Sequence, residues 1–145
     1  MMRPTPIMLG YLQRAVRHEF AAAQQFTLQA VLARALGDTA LSAACETSAV
    51  EELRHAQRFA SALSQAGAAV GAGSIASFPI GRSIADLLRN ARATEAAAVR
   101  LYRDAARGCQ GVEGLRELFD SIGSEEVTHY EELTRQLRAT GELIA

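Results

Sequence analysis

Four stretches of the chain place apolar or small residues three to four positions apart, which is the spacing of an amphipathic helix. Pro6 after Thr5 is typical of a helix start, and a glycine lies close to the end of each stretch. These signals predict helices over residues 6–36, 39–66, 83–108 and 112–140. The sequence therefore predicts an all-α protein in which residues 1–145 form a single domain.

The connections between the predicted helices indicate how the helices pack. Short turns join the first helix to the second and the third to the fourth, so each pair should form an antiparallel hairpin. The long connection, over residues 67–82, can span about 50 Å, whereas the second helix is about 42 Å long. This segment can therefore run the length of the molecule, which predicts a four-helix bundle with a long crossover between the second and third helices.

Glutamate and histidine residues interrupt the apolar stripes in a pattern that occurs twice. In each half, a lone glutamate on one helix is followed by a Glu-x-x-His motif on the next, 33 residues later in the first half and 31 in the second. The residues are Glu19, Glu52 and His55 in the first half and Glu95, Glu126 and His129 in the second. All six are in phase with the stripes, whereas Glu51 and Glu125 are one residue out of phase and should face outward.

Four carboxylates and two imidazoles inside a bundle need a compensating partner, because ionised groups are not buried alone. A pair of carboxylate-bridged iron or manganese ions would be such a partner, because it is bound by four carboxylates and two imidazoles. A single Glu-x-x-His motif would fit a solvated helix face equally well, but two copies in phase favour a metal site. The absence of cysteine from the set argues against structural zinc.

Composition excludes several other classes of protein. The formal net charge of −1 gives no reason to expect binding to nucleic acid or to an anionic membrane surface. No apolar run approaches the roughly 20 residues of a membrane span, and the N-terminus lacks a secretory apolar core. The two cysteines, Cys45 and Cys109, are predicted at opposite ends of the bundle and suit a reducing compartment. We therefore expect a cytoplasmic protein.

The same residues resemble a known family. The matching motifs are His18-Glu19-Phe20, Glu51-Glu52-Leu53-Arg54-His55-Ala56, Glu95 and Glu126-Val-Thr-His129. They are similar to those of the ferritin-like di-iron superfamily, and most of all to bacterioferritin, over nearly the whole chain. The resemblance implies that Glu52 and Glu126 bridge two iron ions. It also implies that Glu19 and His55 complete one ion's ligands, and that Glu95 and His129 complete the other's.

The resemblance also implies a reaction, namely oxidation of Fe(II) by oxygen or peroxide, often followed by storage of Fe(III) mineral in a hollow shell. The family's haem-binding methionine is replaced here by Leu53, so haem is not expected. A tyrosine that often follows the first glutamate is replaced by Phe26. Tyr102 holds the equivalent position after Glu95 and is a candidate to assist the site, with a core tyrosine as the alternative interpretation.

The C-terminal residues bear on assembly. Only residues 141–145 follow the fourth predicted helix, too few for the short fifth helix of the family's 24-subunit shell. Outer apolar residues such as Leu28, Val31 and Leu32 could pair across a two-fold axis. We therefore expect a homodimer, with a larger shell as the alternative.

Three functions remain open at this stage. The first is a ferroxidase of the bacterioferritin type, whose partners are Fe(II) and oxygen or peroxide. The second is another di-metal redox enzyme, either a peroxide scavenger resembling rubrerythrin or a small oxidase. The third is a non-enzymatic bundle that binds metal for stability. All three use the same ligands, so the ligands do not separate them.

Overall fold

The structure, a computed structural model, describes residues 3–71 and 76–142. These residues form four helices, α1 (Pro6–Ala35), α2 (Thr39–Gln65), α3 (Ile84–Gly108) and α4 (Glu113–Ala139), and contain no strand. The predicted all-α four-helix fold is therefore confirmed. The C-terminal residues 143–145 lie outside the described part of the chain.

Polar side chains determine where three of the helices begin. The side chains of Thr5, Asp38 and Ser83 each accept a hydrogen bond from the backbone N–H three residues later, at 3.3, 2.9 and 3.1 Å. Such caps satisfy backbone donors that have no partner within the helix. The turn between α1 and α2 contains Gly37 at φ 87°, a conformation that costs glycine little. The sequence thus encodes a tight reversal that makes α1 and α2 antiparallel.

The helices pack as two hairpins. α1 lies against α2 and also against α3, and α3 lies against α4. α2 and α4 meet only over a short stretch. The groove between α2 and α4 is therefore the most loosely closed side of the bundle.

Two buried glutamines fasten the end of the crossover to α1. Gln25 Nε2 donates a hydrogen bond to the Pro79 carbonyl at 2.8 Å. Gln29 Nε2 donates to the carbonyls of Ile80 and Leu87, both at 3.0 Å. Because buried backbone carbonyls need such partners, these bonds hold the segment that leads into α3. The middle of the crossover, residues 72–75, lies outside the described residues.

The apolar core is divided into two clusters of buried side chains. One surrounds Phe59, Tyr102 and Phe119, at the end of the bundle where α1 begins. The other surrounds Phe26 and Leu41, at the end where α1 meets α2. The buried glutamates of the sequence pattern lie in the layer between the clusters, so apolar packing encloses them from both ends.

Two further findings concern the chain as a whole. Cys45 and Cys109 are both buried and both free, and they lie in different apolar clusters, at opposite ends of the bundle. Over the two described ranges, no helix is long and apolar enough to cross a membrane.

Candidate metal centre

The six residues of the doubled sequence pattern meet in the middle of the bundle. Their side-chain oxygen and nitrogen atoms form two groups, and within each group all the atoms lie within 4.8 Å of one another, so each group could hold a metal ion. The groups are Glu19, Glu52, His55 and Glu126, and Glu52, Glu95, Glu126 and His129. Glu52 and Glu126 belong to both groups, which places their carboxylates between the two positions.

Burial makes this cluster costly unless something compensates the charge. The side chains of Glu19, Glu52, Glu95 and Glu126 are almost completely excluded from solvent. Transferring a carboxylate into a protein interior is unfavourable unless it is paired or binds a metal ion. Four buried carboxylates in one layer, beside two imidazoles, therefore need positive charge nearby to compensate their own.

Unpartnered atoms show where that charge would sit. In the described part of the chain, each of the four glutamates has a buried oxygen with no hydrogen-bond partner, as does Nδ1 of both histidines. His55 Nδ1 comes within 2.9 Å of Glu126 Oε1, but the angles are not those of a hydrogen bond. Native proteins leave few buried polar groups unsatisfied. An oxygen-rich set with two imidazole nitrogens suits iron or manganese, so the residues fit a pair of such ions.

Without a cation, the cluster has to hold protons instead. Burial, followed by the closeness of Glu52, raises the pKa of Glu19 to about 8. Burial, followed by the closeness of Glu126, raises the pKa of Glu95 well above its ordinary value. The pKa of Glu52 is raised by burial, but the closeness of Glu19 and the two imidazoles outweighs this and lowers it. Protons are thus unevenly shared among carboxylates that cannot all ionise together.

The pKa values of both imidazoles are raised as well, which in their case favours the charged form. Burial lowers the pKa of His55, but the carboxylates of Glu126 and Glu19 outweigh it and raise the pKa to about 12. The closeness of Glu52 likewise raises the pKa of His129, against the effect of burial. A metal ion would have to displace these protons, because only neutral imidazole nitrogen binds metal.

Two outer carboxylates contact the far side of the imidazoles. Glu51 and Glu125 are 38% and 49% exposed, in agreement with their predicted outward position. Nevertheless, Glu51 Oε2 lies 2.8 Å from His129 Nε2, and Glu125 Oε1 lies 3.5 Å from His55 Nε2. Each contact joins the two hairpins, since Glu51 is on α2 and His129 on α4. Such carboxylates hold Nδ1 toward the site, a role that sequence reasoning missed.

Tyr102 lies against the cluster from the apolar side. Its hydroxyl donates a hydrogen bond to Glu19 Oε1 at 2.7 Å, and its side chain is completely buried. The sequence placed this tyrosine after Glu95, but the contact crosses from α3 to α1. The bond occupies one oxygen of Glu19 and leaves Oε2 without a partner among the described residues. Burial and the charge of Glu19 raise the pKa of Tyr102, so the hydroxyl keeps its proton at neutral pH.

The cluster opens toward the groove between α2 and α4. His129 is 24% exposed, whereas the other five side chains are buried. A cavity of about 100 Å³ lies beside it, lined mainly by apolar side chains that include Phe26, Leu41, Cys45 and Leu133. Small molecules and ions would therefore reach the cluster past His129, where the two hairpins pack least closely.

The arrangement of four antiparallel helices around buried carboxylates and histidines has a counterpart in a known family. The sequence profile of the ferritin-like domain matches residues 9–143, and the chain belongs to that family. A comparison with curated proteins finds no match.

Solved bacterioferritin structures are similar to this fold. The bacterioferritin of Rhodobacter capsulatus, described with a metal-free dinuclear site and haem iron, matches with a TM-score of 0.90 and 22% identity over 95% of this chain and 88% of that one. Bacterioferritin BfrA of Mycobacterium tuberculosis matches with a TM-score of 0.91 and 21% identity over 97% of this chain and 89% of that one. At such identities the likeness establishes a shared fold.

Proposed function

We propose that this protein binds two iron ions at the buried cluster and oxidises Fe(II) with oxygen or peroxide, as a ferroxidase of the bacterioferritin type. The observation that supports this best is the set of buried carboxylate oxygens and imidazole nitrogens without hydrogen-bond partners. Manganese prefers similar ligands and is the alternative metal. Bound iron would supply one-electron exchange between Fe(II) and Fe(III).

The geometry suggests a role for each residue. Glu52 and Glu126 would bridge the ions, because each belongs to both groups of ligand atoms. Glu19 and His55 would complete the ligands of one ion, and Glu95 and His129 would complete those of the other. A carboxylate-rich set of ligands favours the more highly charged Fe(III), and therefore favours loss of an electron to the oxidant.

The protein also offers a route to solvent for the protons that metal binding would release. Loading the site would expel the protons held by Glu19, Glu95 and His55, since ligands bind metal in their deprotonated form. The contact from His55 Nε2 to the half-exposed Glu125 leads from the interior to the surface. Glu125 is in turn held by Arg58 at 3.1 Å. This chain of contacts would hold the imidazole and let a proton leave toward solvent.

We expect the iron-loaded protein to oxidise Fe(II) faster than iron oxidises in buffer, because the ligands favour Fe(III). Stopped-flow absorbance after mixing with Fe(II), once in aerated buffer and once with hydrogen peroxide under anaerobic conditions, measures both rates. A rate equal to the buffer control, in protein that demonstrably holds iron, would favour the non-enzymatic bundle. A rate that requires peroxide would favour the scavenger resembling rubrerythrin.

Haem of the bacterioferritin type is not part of this proposal. Leu53, which occupies the position of the family's haem-binding methionine, lies half exposed on the outer face of α2. A leucine side chain has no atom that could ligate haem iron. Location in the cytoplasm likewise remains a prediction, supported by the two free cysteines.

We expect a homodimer formed through the outer face of α1 and α2. Leu28 and Val31 on α1, and Val50 and Leu53 on α2, are exposed apolar residues, with Val31 at 64%. Exposed apolar patches mark surfaces that associate, and two-fold pairing is the commonest symmetry. Light scattering should give twice the 15.5 kDa mass of the chain.

Substitution separates this interface from chance association. Val31→Glu together with Leu53→Glu should give a monomer, whereas Ile7→Glu, at an apolar residue that is also exposed, should leave the dimer intact. A native particle of about 24 chains would contradict the dimer and make mineral storage the leading function.

A further inference from the structure

A surface cavity of about 410 Å³ lies between α1, the end of α2 and the first residues of the crossover. Pockets that bind small molecules usually measure about 300–1,000 Å³, so this cavity has room for a small organic ligand. Of the described residues that line it, none belongs to either group of metal-ligand atoms. The cavity is therefore separate from the metal centre.

The sequence that follows α2 explains why this space is left open. Gly67, at φ 76°, turns the chain away from the helix, and the N–H of Ala68 donates a hydrogen bond to the Leu63 carbonyl at 3.0 Å. These contacts fix where the crossover leaves α2. The next residues, Ala69, Val70 and Gly71, are small. No large side chain of this segment therefore fills the space beside α1.

Most of the side chains that line the cavity are aliphatic. Val16 and Leu63 are buried and belong to the apolar cluster at this end of the bundle. Val70 also lines the cavity and is 51% exposed, although it is apolar. Among the described lining residues none is aromatic, so the cavity suits an alkyl chain better than a flat ring that would stack. An alkyl chain bound here would remove Val70 from water, which is favourable.

A single charged side chain lines the same cavity. Arg17 of α1 is exposed, and it forms no ion pair with a carboxylate in residues 3–71 and 76–142. The amide of Gln13, one helical turn earlier, lies beside it. A guanidinium group can donate hydrogen bonds to both oxygens of one carboxylate. The cavity thus combines an aliphatic surface with one unused site for an anion.

The parts of the chain that form the cavity carry no negative charge. Residues 1–18 and residues 53–85 contain no aspartate or glutamate, whereas each stretch contains three arginines. All the lining residues come from these two stretches. No neighbouring carboxylate in either stretch therefore competes for Arg17, and an approaching anion meets a positive potential.

We propose that this cavity binds a free fatty acid of medium chain length, with its alkyl chain against Val16, Leu63 and Val70 and its carboxylate on Arg17. The inference goes beyond the proposed function and requires no metal ion. An inorganic anion would contact Arg17 but would leave the aliphatic lining uncovered. A neutral alkane would cover the lining but would leave the guanidinium without a partner. An aliphatic carboxylate matches both parts of the cavity.

Isothermal titration calorimetry of the full chain with sodium decanoate, kept below its micelle concentration, tests this site. We expect one saturable site per chain, with the same affinity in chelator-treated and in iron-loaded protein. The affinity should fall about fourfold for each methylene removed, from decanoate to octanoate to hexanoate, because each methylene is buried in the cavity. Decyltrimethylammonium, which has an alkyl chain of the same length but the opposite charge, should not bind.

Four variants locate the site on the protein. Arg17→Gln should weaken decanoate binding about tenfold or more, because it removes the charged donor of the hydrogen bonds. Its matched control is Arg14→Gln, at an exposed arginine on the same helix that does not line the cavity, and it should bind decanoate as the native protein does. Val70→Glu should abolish binding by placing a negative charge in the cavity. Leu36→Glu, at an exposed apolar residue at the far end of α1, should leave binding unchanged.

Several results would overturn the inference. They are the absence of saturable binding, many weak sites per chain, unchanged affinity in Arg17→Gln, and decyltrimethylammonium binding as tight as that of decanoate. Binding to vesicles of anionic phospholipid without binding of free decanoate would indicate a membrane surface, and would overturn a site for the free acid. None of these measurements depends on iron, so the inference and the proposed function can fail independently.

Discussion

Replacing Glu52 and Glu126 together by glutamine should abolish iron loading, whereas the native protein should approach two ions per chain. Both groups of ligand atoms include these two carboxylates, so the double change removes two ligands from each metal position. Glutamine keeps the side-chain volume, so the helix content should be unchanged. Elemental analysis after anaerobic loading with Fe(II) and desalting measures the stoichiometry.

The matched control changes two exposed glutamates on the same helices. Glu46 on α2 and Glu131 on α4 are exposed and belong to neither group of ligand atoms. Glu46→Gln with Glu131→Gln should load iron as the native protein does. Near-normal loading of Glu52→Gln with Glu126→Gln would show that iron binds elsewhere, and the assignment of the site would be wrong.

Metal binding should raise the melting temperature strongly at neutral pH. A ligand that binds only the folded state at 100 times its dissociation constant stabilises it by about 2.7 kcal/mol per site. A domain of this size gains about 2–4 °C per kcal/mol, so we expect a rise of at least about 5 °C. Scanning calorimetry of the chelator-treated and the iron- or manganese-loaded protein measures it. Identical melting would contradict a buried site.

The difference in melting temperature between the metal-loaded and the metal-free protein should narrow in mild acid. In the metal-free protein the pKa of Glu19 rises from 4.5 to about 8. Protonated Glu19 therefore contributes to folding stability fully below about pH 4.5, and this contribution is lost as the pH rises toward 8. The pKa of His55 rises from 6.5 to about 12, so its contribution is present below 6.5 and is lost at higher pH. The metal-free protein should therefore gain stability between pH 7.5 and 5.

Metal affinity, in contrast, should fall between pH 7.5 and pH 5, because protons compete with metal for the same ligand atoms. The melting difference at pH 5 should consequently be smaller than the difference at pH 7.5. The control is the metal-free Glu52→Gln and Glu126→Gln variant, whose crowding of negative charge is relieved and whose pH dependence should be weaker. An equal difference at both pH values would contradict the account of a crowded, buried cluster.

The sequence predicted the fold well because the relevant signals are local. Helical periodicity and the capping residues Thr5, Asp38 and Ser83 define where helices run. Connection lengths then leave few ways to assemble four helices. The inward position of the six Glu and His residues followed from their phase with the apolar stripes, which is also a property of each helix alone.

Features that depend on the spacing between helices were not predicted. Glu51 and Glu125 are out of phase, but their long side chains cross the α2–α4 groove to reach an imidazole on the other hairpin. Tyr102 was placed by its distance from Glu95, yet its hydroxyl reaches Glu19 on a different helix. The role of Gln25 in fastening the crossover depends on where that irregular segment runs. Side-chain reach across a tertiary contact has no periodic signature.

An anomalous difference map from crystals of the iron-loaded protein, recorded at the iron absorption edge, tests the central claim most directly. We expect two peaks per chain at mid-height of the bundle. One should lie among Glu19, Glu52, His55 and Glu126, and the other among Glu52, Glu95, Glu126 and His129. Data collected below the edge should lose both peaks. Peaks at other positions, or none between these side chains, would contradict the account.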